Sequence, residues 1–264
     1  MTPAGPMLLT GGTGRLGTEL RRELPRLGAA DLLAPGRADL DVADPTSVTA
    51  YVNSHQPRLI VHAAAYTDVA GAERERKACW RVNVEGTRSL VEAARAVGAR
   101  LVLISTDYVF YGDQQPPAPG AQVTGYREDD TPGPVRNYYA LTKLVAEEAA
   151  RGHPDSLVLR TSFRPREWPY PKAFDDLFTS QDYVDVIAPL VAEVIMRFGG
   201  GHVPYRTLHV ATERKSVYEL AKRRAPEVEG ASRASAGVEL PADVSLNTAR
   251  WQELRRGWAA DEEG

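Results

Sequence analysis

Two hydrophobic rhythms alternate along the first 160 or so residues of this chain. Short apolar runs occur at Met7-Leu8-Leu9-Thr10, Asp31-Leu32-Leu33-Ala34, Arg58-Leu59-Ile60-Val61-His62, Leu101-Val102-Leu103-Ile104-Ser105 and Leu157-Val158-Leu159-Arg160. Each has the length and composition of a buried strand. Helical spacing fills the gaps: from the glycine turn to about Leu27, Thr46 to Ser54, Glu73 to Val97 and Leu141 to Ala150. The third helix is expected to break near Val82-Asn83. Strands alternating with helices predict an α/β fold with a doubly wound parallel sheet.

After Thr161 the pattern loosens. Arg164 to Lys172 contains Pro165, Pro169 and Pro171 among aromatics, which predicts an irregular segment over a site. Val184 to Met196, Val217 to Arg224 and Asn247 to Arg256 predict helices, and Leu208-His209-Val210 a short strand. Gln114 to Pro134 is rich in Pro and Gly and predicts a long loop of the kind that serves as a lid.

Between the first strand and first helix lies Thr10-Gly11-Gly12-Thr13-Gly14-Arg15-Leu16-Gly17. Glycines here permit a tight turn and bring backbone close to a pyrophosphate at the helix N-terminus. A Rossmann-type dinucleotide site is therefore expected, with Gly11, Thr13, Gly14, Arg15, Leu16 and Gly17 around the phosphates. Sites selective for NAD often place an acid near the end of the second strand. Here the chain reads Ala34-Pro35-Gly36-Arg37, and Arg37 can pair with a 2′-phosphate, so NADP is expected and NAD is the alternative. Arg37 merely exposed at the surface is the bland reading. Asp41 and Val42 would border the adenine.

The chemistry points to Tyr139 and Lys143, four residues apart on one helical face. A phenol loses its proton near pH ~10, and a neighbouring cation lowers that value. Tyr139 is then suited to exchange a proton with a substrate oxygen, as carbonyl reduction or alcohol oxidation requires. Tyr218 and Lys222 repeat the spacing. They follow Ser216, with Glu219 three residues later, which reads as a capping box opening an ordinary helix.

The chain has 264 residues, 43% hydrophobic and 25% charged, with a net charge of −3, which suits one large or two small globular units and gives no basic surface for nucleic acid. No apolar run is long enough to span a membrane, and the N-terminus runs straight into the first strand, leaving no expected signal peptide. Cys79 is the sole cysteine, which fits a reducing cytoplasm. His62, His153, His202 and His209 are scattered without zinc-like spacing, so no metal site is expected.

Together these residues resemble the extended short-chain dehydrogenase/reductase family, and within it the dTDP-4-dehydrorhamnose reductases. The resemblance is carried by Gly11 to Gly17, Ala63-Ala64-Ala65-Tyr66-Thr67-Asp68, Val82-Asn83-Val84-Glu85-Gly86-Thr87, Ile104-Ser105-Thr106-Asp107-Tyr108-Val109-Phe110, Asn137 through Lys143, and Arg160-Thr161-Ser162. It implies that NADPH reduces the C4 ketone of a nucleotide-linked 4-keto-6-deoxy sugar. Thr106 would bond the carbonyl, Tyr139 would donate the proton, and Lys143 would hold the nicotinamide ribose and bias Tyr139. Ala63, Ala64 and Ala65 would pass beside the cofactor. Thr67, Asp107, Tyr108, Asn137, Phe163 and Arg164 would join Thr106 around the sugar. The implied division gives residues 1–162, with 180–198 returning, to dinucleotide binding, and 163–179 with 199–264 to a small C-terminal substrate lobe. Asp182-Tyr183-Val184-Asp185-Val186 marks the return. Glu19 matches an acid linked to Mg²⁺-dependent dimer contacts in some reductases; its other reading is an acid beside the dipole of the first helix. A homodimer stays open.

Three departures concern the substrate. Phe163 stands where the reductases have Trp, Leu240-Pro241 replaces a late Arg-Pro, and the C-terminal part is short. Arg164, Arg166, Lys172 and Arg206 are then the candidates to neutralise a sugar-nucleotide pyrophosphate, with loop 111–136 and segment 163–180 facing each other over the site. Dehydration is disfavoured because Tyr108 follows Asp107 where dehydratases resemble Thr-Asp-Glu. A nucleotide-sugar 4-epimerase stays open, as does a non-catalytic NADP-binding subunit resembling the regulatory partner of methionine adenosyltransferase.

Overall fold

The computed structural model describes residues 5–110, 112, 124–237 and 239–263. The main sheet is built from β1 (Met7–Thr10), β2 (Leu32–Leu33), β3 (Leu59–His62), β4 (Arg100–Thr106), β5 (Ser156–Thr161) and, after the short strands described below, β10 (Thr207–His209). All its pairings are parallel, in the order β10-β5-β4-β3-β1-β2. The chain leaves β1 in one direction to β2 and then crosses to β3, so the topological switch lies between β1 and β3, where such sheets bind ligands.

Side chains alternate across a strand, and the alternation assigns each residue to one of two cores. Met7, Leu9, Leu59, Val61, Val102, Ile104, Leu157 and Leu159 face one layer. Leu8, Ile60, Leu101, Leu103 and Val158 face the other. The first layer holds α1 (Arg15–Arg26) and α7 (Val184–Gly199), which pack on each other. The second holds α2 (Pro45–His55), α5 (Gly86–Val97) and α6 (Tyr138–Arg151). Each fully buried Leu, Ile or Val contributes about 1.5–3 kcal/mol of transfer free energy, which is why the middles of the strands are apolar and their polar residues sit toward the ends.

The helices start and stop where their termini are satisfied. Asp44 accepts from Thr46 N and Pro45 opens α2, which ends at Gln56 in the left-handed region. Asn137 caps α6, and Gly98, with φ 66°, terminates α5. The expected long helix from Glu73 is four pieces: α3 (Val69–Arg74), α4 (Arg76–Trp80), a π-helical turn (Arg81–Glu85) and α5. The irregular turn contains the expected break at Val82-Asn83, and its cause is Asn83, described below.

Beyond β5 run short strands: β6 (Phe163–Arg164) beside β9 (Asp182–Tyr183), β7 (Lys172–Phe174) beside β12 (Glu229–Ala231), and β8 (Phe178–Thr179) beside β11 (Lys215–Ser216). With α8 (Val217–Lys222) they enclose a small core of Ala173, Leu177, Val217, Ala221 and Val228, against which Trp168, Tyr218 and Leu240 pack. Within 199–264, assigned as a whole to the lobe from sequence, two elements lie elsewhere. β10 extends the main sheet, and α9 (Ala249–Glu263) inserts Trp251 and Trp258 into the α1/α7 core. Burying two indoles outweighs sequence proximity to the lobe. The first part of the expected lid, 114–123, lies outside the described residues; from Thr124 on, the loop is tied down by Tyr126, which bridges to Leu246. Among the described residues no helix is long and apolar enough to cross a membrane.

Candidate functional site

At the C-terminal end of β1 the glycines are required by contact. Gly11 has φ 72°, and a Cβ there would sit 2.5 Å from Ala64 N. A Cβ on Gly17 would lie 2.1 Å from the Gly11 carbonyl oxygen, and one on Gly12 would press on Ala34 at 3.1 Å. Backbone therefore packs on backbone from β1 to the start of α1 and across to Ala63-Ala64. Gly14 caps α1 with no side-chain bond, so the first N–H groups of α1 face the turn free of a side-chain acceptor. This cradle fits a pyrophosphate. Thr13 and Arg15 are exposed beside it, whereas Leu16 is core and offers a ligand only its backbone. Val42 is also core, its carbonyl 2.9 Å from where a Cβ on Gly86 would be. Arg37 is 80% exposed and 3.4 Å from Asp41, in position to exchange that carboxylate for another anion.

At the ends of β4 and α6 three residues meet. Thr106 closes β4, and its Oγ1 donates to Asp107 Oδ1 at 3.0 Å and accepts from Tyr108 N at 3.2 Å. The Tyr139 ring lies edge-on to Tyr108 at 6.2 Å, with the Thr106 hydroxyl close enough to bear on its phenol. Lys143 is buried one turn on from Tyr139 and donates to the Ile104 carbonyl at 2.7 Å. The expected depression of the Tyr139 pKa is absent from this arrangement. Burial raises the phenol, the Asp107 carboxylate and Tyr108 raise it further, and only Thr106 opposes them. Lys143 has its ammonium on a carbonyl instead, and burial brings it down to about 8 while Glu147 holds it up. Burial likewise lifts Asp107 to about 6, against the pull of Ser162, Thr106 and Arg164.

Tyr218 and Lys222, the second pair with this spacing, lie on α8 behind the predicted capping box, where Ser216 accepts from Glu219 N. Their side chains face each other over the lobe core. Other candidates take structural partners. Asn137 Oδ1 accepts from Ala140 N, leaving only its amide nitrogen for a ligand. Arg166 grips Glu19 through Nε at 3.0 Å and Nη2 at 2.7 Å, which lowers the Glu19 pKa and ties the 163–180 segment to the cofactor helix. Glu19 thus has a cationic partner, and no cluster of metal-ligating side chains occurs among the described residues. Arg206 is a correction. It binds the carbonyls of Arg151 and His153 and the hydroxyl of Ser156, at the opposite end of β5 from the site. Lys172 is exposed beside Glu229. Thr67 is exposed after β3, and Phe163 packs on the α1/α7 core.

Arg164 ends β6. Its guanidinium stands over the Trp168 ring at 5.5 Å. Among the described residues five buried side-chain atoms have no hydrogen-bond partner: Trp251 Nε1 on α9, and Asp107 Oδ2, Thr161 Oγ1, Arg164 Nε and Trp168 Nε1, which lie in or just beyond the ends of β4 and β5. Buried polar atoms are normally paired, so four of them together make the ends of β4 and β5 a candidate ligand site.

Several residues that hold the site carry no role in the sequence reading. Asn83 accepts from Tyr66 N at 2.8 Å, and its amide donates to Tyr66 O at 3.2 Å and Thr142 Oγ1 at 2.9 Å. It thereby pins the loop after β3 to α6, and the π-helical turn allows it to reach both. Glu147, fully buried, accepts from Ser105 at 2.6 Å, from Arg160 at 3.0 and 2.8 Å, and from Arg151 at 3.0 Å. Arg160 is buried too, over Phe110 at 4.9 Å and near His209. His62 shares a hydrogen bond with Thr10 at 2.8 Å, and burial and the nearby Lys143 depress it to about 3. The visible signal was a charge in an apolar strand, Arg160, and an acid four residues beyond Lys143.

A family model described as RmlD substrate binding domain matches residues 6–239. A dTDP-4-dehydrorhamnose reductase of Streptomyces griseus is 44% identical over 56% of this chain and 45% of its own length. One from Mycobacterium tuberculosis is 34% identical over 70% of this chain and 56% of its own. The chain thus spans about half the length of these curated relatives. A crystal structure of dTDP-4-dehydrorhamnose reductase from Bacillus anthracis, in complex with NADP, superposes with a TM-score of 0.78 at 27% identity, covering 94% of this chain and 91% of that one.

Proposed function

Since the chain belongs to the RmlD substrate binding domain family, we propose that it is an NADPH-dependent reductase acting on the C4 ketone of a dTDP-linked 4-keto-6-deoxy sugar. The observation that carries the proposal is the meeting of Thr106, Tyr139 and Lys143 at the sheet end that also forms the glycine cradle. The backbone of Gly11 to Gly17 and the start of α1 would hold the pyrophosphate, Arg37 the 2′-phosphate, the Ala63 to Ala65 backbone the flank of the cofactor, and Lys143 the nicotinamide ribose. When bound, NADPH supplies the hydride that the ketone carbon takes up.

The chain's own groups manage the oxygen. Thr106 and Tyr139 would bracket the carbonyl oxygen, and Tyr139 would pass its phenolic proton to the alkoxide as it forms. A phenol whose pKa is raised by burial is protonated at neutral pH, which is the state a donor needs. Lys143 remains largely cationic there and favours the phenolate left behind. Arg164 and Trp168, whose Nε and Nε1 have no hydrogen-bond partner, would donate to the oxygens of the sugar nucleotide. A companion copy of the chain and a cytoplasmic setting belong to the same proposal.

NADPH consumption with dTDP-4-keto-L-rhamnose tests this. Wild type should turn over, and Tyr139→Phe should lose about 10²–10⁴ in rate, the usual worth of a positioned proton donor. Failure of folded, NADPH-bound protein to reduce any 4-keto sugar nucleotide would overturn the proposal and favour a non-catalytic cofactor-binding subunit. Formation of a C4 epimer without net NADPH loss would favour the epimerase.

A further inference from the structure

We propose that Asp107 is a positioning residue whose protonation sets the direction of the Thr106 hydroxyl, and so decides whether Thr106 is able to donate a hydrogen bond to the substrate's carbonyl oxygen. The proposal rests on the reductase reading above.

A hydroxyl has one proton and two lone pairs. At Thr106 the proton is directed to Asp107 Oδ1 at 3.0 Å, and one lone pair accepts from Tyr108 N at 3.2 Å. What remains is a lone pair. A carbonyl oxygen is itself an acceptor. Brought to Thr106 in this state, it meets lone pair against lone pair. As long as Asp107 is an acceptor-only carboxylate, Thr106 has nothing to offer the substrate.

Protonating Asp107 reverses this. A neutral carboxyl with its proton on Oδ1 donates to Thr106 Oγ1 and occupies the free lone pair. The Thr106 proton then turns toward the site. No bond between heavy atoms changes: Asp107 gains one proton, and the Asp107–Thr106 hydrogen bond inverts. The surroundings make the neutral form accessible. Asp107 is 1% exposed and its Oδ2 has no hydrogen-bond partner among the described residues, so the carboxylate is poorly solvated. The groups around it are Thr106 on β4, Tyr108 just after it, Tyr139 on α6, and Ser162 and Arg164 beyond β5. Of these Arg164 bears a full charge and favours the carboxylate; burial opposes it and prevails.

The test is the rate of NADPH consumption with dTDP-4-keto-L-rhamnose from pH 5 to 8, for wild type and Asp107→Asn. An amide is able to donate to Thr106 through its NH2 at every pH. The wild-type rate should fall as Asp107 ionises while the variant's stays level, so their ratio shifts about tenfold per pH unit above the transition. Parallel profiles, or a folded variant inactive throughout, would overturn the proposal. A second readout needs no turnover: ¹³C NMR of the Asp107 carboxyl, identified by its loss in Asp107→Asn. Titration well above the ordinary aspartate range supports the proposal, and titration within that range overturns it. If wild type reduces no 4-keto sugar nucleotide, the reductase reading fails by itself, and the carboxyl titration still decides the role of Asp107.

Discussion

Tyr139 and Tyr218 have the same local sequence relation to a lysine and opposite surroundings. Tyr139 meets Thr106 beside Asp107, while Tyr218 packs on the lobe core. Tyr139→Phe should therefore lower turnover by about 10²–10⁴ and leave NADPH affinity nearly unchanged by calorimetry, and Tyr218→Phe should alter neither. An inactive, folded Tyr218→Phe protein would assign the chemistry to the wrong pair. Asp107 gives a stability prediction with a definite sign. Its folded-state pKa, about 6, is raised from 3.8, so its contribution is full below about pH 4 and is lost as pH rises through 6. Two pH units correspond to about 3 kcal/mol. In urea titrations the advantage of Asp107→Asn over wild type should grow between pH 4 and 7 toward that size; a constant difference would contradict the burial argument. The Tyr139–Lys143 pairing was legible because helical spacing alone puts both on one face. The direction of the Tyr139 pKa was not, since burial and Asp107 reach it through the fold. Arg166 and Arg206 looked equivalent as loop cations, and only tertiary structure gives one to Glu19 and the other to the far end of β5.

The elements follow from local rules nearly everywhere the rules are strong. Apolar runs became strands, and alternate residues went to the two cores. The capping box at Ser216 formed as its spacing required. The rules were weakest where tertiary bonds shape the backbone, as at the π-helical turn around Asn83 and in α9, whose tryptophans join a distant core. Two glycines separate these influences. Gly17→Ala should cost on the order of 1–3 kcal/mol, as overpacking does, and weaken NADPH binding, because its Cβ would collide with the Gly11 carbonyl. Gly257→Ala, inside α9 with nothing within 4 Å, should stabilise by about 1 kcal/mol, the helix-propensity difference. Thermal denaturation of both variants checks the contrast, and a stabilised Gly17→Ala would refute the close packing of the turn. The Glu147–Arg160 pair joins α6 to β5 beneath Lys143. Arg160→Leu leaves Glu147 buried with Arg151 as its remaining cation, and should cost about 3–5 kcal/mol in urea denaturation. A loss below 1 kcal/mol would mean that the pair is not holding these elements together.

Across the whole molecule the half proposed to hold the cofactor was more legible in the sequence than the segments that would meet the sugar. The first half was legible because glycine contacts, strand ends and the Tyr-Lys face are short-range features. The second depends on where Arg164, Arg166 and Trp168 come to rest, which no spacing reveals. On the proposed reading, cofactor choice would be set at Arg37, which is exposed and paired only loosely with Asp41. NADPH should bind more tightly than NADH, and Arg37→Ala should lose about 1–3 kcal/mol of that preference, the range of a charge-assisted hydrogen bond. Equal wild-type affinities would remove Arg37 from the site. The central claim, hydride delivery to a sugar ketone under the control of Thr106, Tyr139 and Lys143, is tested most directly by isotope transfer. NADPH deuterated at the nicotinamide C4 is incubated with the protein and dTDP-4-keto-L-rhamnose, and the sugar is read by NMR. The account predicts one deuterium at C4 of the sugar with wild type and none with Tyr139→Phe. Deuterium at another carbon, or none at C4 with folded and cofactor-bound wild type, would contradict it.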